Sequence, residues 1–125
     1  MASLEKALVN EIKSIVKIFP IFAQQGTATP YSTYILITDD RQRTLNENHT
    51  GNIEEVHQID IFSNTYSSLK TLKTSVINKL KAIARTTISS VYVQDLAVTN
   101  TFTLYEDDTQ LYRAMIEFKT YYKEE

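Results

Sequence analysis

The amino-acid sequence predicts an α+β domain: a single antiparallel sheet of about four strands with two helices packed on one face, in the order α-β-β-α-β-β. Three stretches carry that reading. Over 55–63, Ile59 and Ile61 alternate with Gln58 and Asp60, which turns one face inward and leaves the other polar. Over 66–84 the period changes, and Leu69, Leu72, Val76, Leu80 and Ile83 recur every three or four residues along one side of a helix. Over 111–122, Tyr112, Ala114, Ile116, Phe118 and Tyr122 share one face while Arg113, Glu117 and Lys119 share the other. A strand that runs into an amphipathic helix folding back on it seeds a two-layer domain.

In chain order, Leu4, Leu8, Ile12, Ile15 and Phe19 fall on one side of a helix over about 3–18, with Ser3 as its N-cap and Pro20 closing it. The stretch 21–30 reads as a connector, marked by Gln25-Gly26 and Thr29-Pro30. Residues 31–38 are rich in β-branched and aromatic side chains and form the first strand. The segment 39–52 reads as a long mobile hairpin loop, with Asp39, Asp40, Arg41, Arg43, Glu47 and Leu45 as its only aliphatic residue. Hairpin loops usually take about two to five residues. A longer polar one is either a plain insertion or an arm that orders against a partner. After the central strand and helix, Arg85-Thr86-Thr87 reads as a break. A third strand follows over 91–99, with Phe102 and Tyr105 as its candidate continuation across a bulge, and Glu106-Asp107-Asp108-Thr109 as a polar turn before the last strand. Successive strands are expected to pair as hairpins.

A chain of 125 residues fits one domain, 1–125. The absence of cysteine excludes disulfides, thiolate metal sites and a cysteine nucleophile. No apolar run has the length of a signal peptide or a membrane helix, so a soluble protein made in a cytosol is expected. A net charge of −2 gives no overall nucleic-acid signature. The distribution is less even. Lys70, Lys73, Lys79, Lys81 and Arg85 follow one another with no acid between them, whereas 39–63 is acidic. The basic helix is either a solvated face whose lysine stems flank the apolar stripe, or a surface that meets an acidic surface of a neighbouring subunit.

Catalytic chemistry finds no footing. His57 shares a strand face with Ile59 and Ile61 and reads as a packed or rim residue; His49 falls in the loop. His57, Asp60 and Ser63 make no triad, because Asp60 faces the other way and six residues of strand part His57 from Ser63 by about 20 Å. Glu54 and Glu55 point to opposite faces. Asp39-Asp40 and Asp107-Asp108 sit in turns, and the latter lacks the ligand spacing of a calcium loop. Two glycines, Gly26 and Gly51, cannot assemble a phosphate-cradling loop. Tyr31, Tyr34, Tyr112 and Tyr122 suit core and interface roles, since no basic groove interleaves them for base stacking. No catalytic residue, cofactor or metal is expected. From the residues alone, the sequence gives a soluble α+β domain with a long mobile hairpin loop and sheet edges to manage; it does not name a task, and an enzyme comes last among the readings.

The run Gln58-Ile59-Asp60-Ile61-Phe62-Ser63, Tyr66 just after it, the leucine-rich helix and the closing strand Tyr112-Arg113-Ala114-Met115-Ile116-Glu117-Phe118 resemble the tail terminator, or tail completion, family of long-tailed bacteriophages. The likeness covers most of the chain and lies in the order of its elements. It implies a structural virion protein, assembled in the cytoplasm of the bacterial host. Such a protein caps the finished tail tube as a ring, commonly of six copies, stops tube polymerisation and offers the docking surface for the head connector. The implied partners are further copies of the chain, the tail tube protein and the head connector or stopper protein. No membrane and no specific nucleic acid are among them, though the genome would pass through the ring lumen. Sheet edges and helix flanks of neighbours would pair around the ring. On this resemblance Arg41, Arg43, Leu45, Lys70, Ile77 and Lys81 are the candidate subunit or tube contacts. Ile77 is included because it lies off the centre of the buried stripe, where it is either a rim residue or an apolar contact for another subunit. The alternatives are another neck or head-completion component, or a ligand- or peptide-binding module.

Overall fold

A computed structural model describes residues 4–20, 28–43, 49–88, 91–108 and 110–123. The elements run α1 (Leu4–Ile12), β1 (Lys17–Pro20), β2 (Tyr31–Arg43), β3 (His49–Ser63), α2 (Tyr66–Ile83), β4 (Thr86–Ile88), β5 (Val91–Glu106) and β6 (Leu111–Lys123). They form one six-stranded sheet in the order β1-β2-β3-β6-β5-β4. β1 lies parallel to β2 and every other pairing is antiparallel. The sheet is therefore mixed and curled into a half-barrel, which corrects the expected four-stranded antiparallel sheet with two helices on one face.

The curl has a local cause. Register shifts interrupt the β2–β3 ladder between Leu36 and Thr38 and between Arg41 and Arg43. Two more interrupt β5–β6, between Val93 and Asp95 and between Val98 and Asn100. An extra residue on one strand bends it and raises the local twist. The two ends of the sheet consequently come round far enough for the short helix α1 to touch both β1 and β4, which are the opposite edge strands.

The helix-forming stripes fill the hollow. Leu4, Leu8 and Ile12 of α1 meet Leu69, Val76, Leu80 and Ile83 of α2 over Ile59, Ile61, Ile116 and Phe118 of the central strands, in one buried cluster. α2 begins where the sequence places it: Thr65 caps it by accepting a hydrogen bond from the Ser68 N–H at 3.3 Å. α1 ends six residues short of the expected limit at 18. Its periodic positions Ile15 and Phe19 belong instead to a turn and to β1. β-branched and aromatic residues here favour extended backbone. Pairing Lys17–Pro20 against Tyr31–Tyr34 satisfies backbone groups that a longer helix would have kept for itself. Pro20 is tolerated because β1 is an edge strand. The expected N-cap Ser3 and most of the connector, 21–27, lie outside the described residues.

The expected hairpins are present as β2–β3 and β5–β6, and both are longer than the sequence suggests. Residues 39–43 and 49–52, assigned above to a loop, are strand; 44–48 lie outside the described residues. The expected break at Arg85-Thr86-Thr87 contains β4, three residues paired with Val91–Val93.

Candidate functional site

The two sides of the molecule differ in chemistry. Inside the curl, β2, β3 and β6 bring together a buried polar chain. The Tyr34 hydroxyl lies 2.6 Å from His57 Nδ1, and His57 Nε2 lies 2.9 Å from Thr120 Oγ1 and 3.4 Å from Glu55 Oε1. Tyr122 donates to Glu55 Oε2 at 3.1 Å. Burial drives the His57 pKa down to about 3, so the ring is neutral near pH 7. The Glu55 carboxylate near Nε2 favours the tautomer protonated there, in which Nε2–H donates to Thr120 Oγ1 and Nδ1 accepts from the Tyr34 hydroxyl. His57 also stacks on Phe118, with ring centroids 4.9 Å apart. Each member is held by the others and by the core, which makes this a structural network of the sheet's centre. Of the two places the sequence allows His57, packed or at the rim, the structure shows the packed one; sequence reasoning missed the rest. The signal was strand parity, since Glu55 shares the inward face with His57 and Ile59, and Thr120 shares it with Phe118 and Tyr122.

On the outer face, Asp60 accepts from Arg113 at 2.8 Å and from Gln58, while Arg113 also reaches Glu106 at 3.3 Å and lies over the Phe62 ring. Asp60 and His57 therefore work on opposite faces. Among the described residues, no group of three His, Asp or Glu side chains could hold a metal ion.

The edges are less complete. β4 covers β5 only at Val91–Val93, and among the described residues no strand pairs with the outer side of 94–105. At the other end of the sheet, β1 covers β2 only at Tyr31–Tyr34. A sheet edge presents unsatisfied N–H and C=O groups that pair readily with another strand. Beside the β5 edge runs a groove of about 210 Å³ between α2 and the strand, lined by Tyr66, Leu69, Lys70, Lys73, Ile77 and Thr103 among others. Lys73 donates to Thr103 across it at 3.3 Å.

Two of the six candidate contacts meet here. Lys70 is exposed and Ile77 half-buried, both on the groove wall. Lys81, also exposed, follows on the same helical stripe, one turn past Ile77. Lys79, by contrast, is used within the chain, in an ion pair with Glu11 at 3.4 Å. Arg41 and Arg43 lie in the far half of β2, and Leu45 lies outside the described residues.

Comparison with known proteins adds the family. A comparison with curated proteins returns no match. Among solved structures, the chain resembles a protein in the virion of a native gene transfer agent particle, with a TM-score of 0.70 at 13% identity, over 97% of this chain and 95% of that one. At that identity the likeness establishes a shared fold. The family model for "Tail completion protein gp17" matches residues 6–123, nearly the whole described sheet and both helices. The chain thus belongs to the tail completion protein gp17 family, and it is a structural protein of the tail or neck of a phage-like virion.

Proposed function

We propose that this protein ends the tail tube: identical copies close into a ring on the finished tube, block further polymerisation and present the surface on which the head connector docks. The observation that carries the reading is the contrast between a finished interior and unfinished edges. The core and the buried polar network are built within one chain, yet both ends of the sheet carry long unpaired stretches among the described residues. A head-to-tail contact that uses two different edges closes into a ring when its rotation allows.

Within this reading, Lys70, Ile77 and Lys81 lie at the subunit boundary, and the tip of the β2–β3 arm, with Arg41, Arg43 and Leu45, meets the tube or faces the lumen. Electron microscopy of the purified protein mixed with tail tubes tests the proposal. A cap on one tube end, with tubes of uniform length, is expected. A protein that never binds tube ends at any concentration contradicts it, and binding to the connector alone points to a different neck component. Replacing 44–48 with a two-glycine turn tests the arm, since normal tail length and head joining in that variant would remove the tip from the mechanism.

A further inference from the structure

Going one step beyond the ring reading and resting on it, we infer that the ring is sewn by strand addition: the 35–43 edge of β2 in one copy pairs with the 94–105 edge of β5 in the next. Three independent features converge on these two stretches. The first is hydrogen-bonding capacity, because these are the stretches of the two sheet ends that β1 and β4 leave uncovered among the described residues. Their position at opposite ends of the strand order suits a repeating head-to-tail contact, in which each copy offers one edge and receives the other.

The second is apolar surface. Ile35 and Ile37 of β2 are 41% and 44% exposed, and Phe102 and Leu104 of β5 are 41% and 36% exposed. Large apolar side chains left open on two edges become covered when the edges meet, as strands side by side place same-face neighbours about 5 Å apart. The third is charge. Lys70 and Lys73 stand over the groove beside β5, and the incoming stretch of β2, neutral overall, carries its acids Asp39 and Asp40 ahead of Arg41 and Arg43, so the lysines favour the register that brings the acidic half to them. The added strand would lay alternate side chains into the α2–β5 groove, against Ile77 on its wall.

Engineered disulfides test this directly, since the chain has no cysteine of its own. Ile35→Cys is combined in turn with Asn100→Cys, Phe102→Cys and Leu104→Cys, and Lys13→Cys with Phe102→Cys serves as the control. Each is oxidised both free at high concentration and on tube ends. At least one of the three pairs is expected to give a ladder of linked copies about tenfold above the control, because a disulfide needs Cα atoms within about 7 Å. If no pair exceeds the control in either setting, the strand pairing is wrong, whereas tube capping seen by microscopy would stand unaffected.

A charge exchange gives a second readout. Lys70→Glu with Lys73→Glu, and Asp39→Lys with Asp40→Lys, should each reduce linked multimers about tenfold at low salt, and all four changes in one chain should restore them. A four-fold variant no better than either pair also overturns the inference.

Discussion

β3 and β5 are nearly equal in length, at 15 and 16 residues, and they lie on either side of β6. Their surroundings are opposite. β3 is paired along both sides and buries Ile53, Glu55, His57, Ile59 and Ile61. Among the described residues, β5 is paired along one side for most of its length and buries only Val93 and Leu96, while Tyr92, Phe102, Leu104 and Tyr105 stand open. One strand holds the subunit together and the other is available to something outside it. The same backbone geometry thus serves stability at the centre of the sheet and, on the proposed reading, assembly at its margin.

Matched substitutions separate the two roles. Phe118 is fully buried beside His57 on β6, so Phe118→Ala is expected to cost about 3–5 kcal/mol in chemical denaturation. Phe102→Ala, on the open strand, should cost under about 1 kcal/mol. Equal losses would erase the distinction between centre and edge.

Acid should act on the centre as well. The His57 pKa is about 3 in the folded chain against an ordinary value of 6.5, so below pH 6.5 the unfolded chain binds a proton that the folded chain refuses. The contribution of His57 is fully present above 6.5 and is lost as pH falls toward 3, amounting to about 2 kcal/mol by pH 5. His57→Gln, which does not titrate, should lessen the drop in stability between pH 7 and pH 5. An unchanged drop would show that His57 is not the group responsible.

A smaller gain is expected where α2 ends. Arg85 follows the last turn at φ 65°, a left-handed conformation that costs a residue with a Cβ about 1 kcal/mol. Arg85→Gly should raise stability by up to about that much, read from thermal melting. The smallest effect on folding belongs to the basic stripe: Lys70→Glu with Lys81→Glu should move subunit stability by no more than about 0.5 kcal/mol. The same pair should weaken tube capping, and high salt should mimic it. Unimpaired capping would take the stripe out of the interface.

The central elements were legible because each carries its own period: the alternation about Ile59 and Phe118, and the leucine stripe of α2. The two short edge strands were not. β1 pairs with residues beyond a connector, and its Phe19 continues a helical stripe, so the local pattern favours the wrong element. β4 is too short to show a period. The curl depends on four register shifts, and a shift is a property of two strands in contact, which neither sequence reveals alone. The same limit governs the candidate site. Helical spacing exposed Lys70 and Ile77 one at a time, but only the fold brings Thr103 of β5 opposite them to make a groove.

The unfinished edge of β5 is most directly tested by amide hydrogen exchange, comparing 94–105 with β3 in the free subunit and in subunits bound to tube ends. The account predicts that β3 is protected in both states, and that the outward-facing amides of β5 exchange at least about a hundredfold faster until binding slows them. Protection of 94–105 already complete in the free subunit, or unchanged by binding, would contradict it.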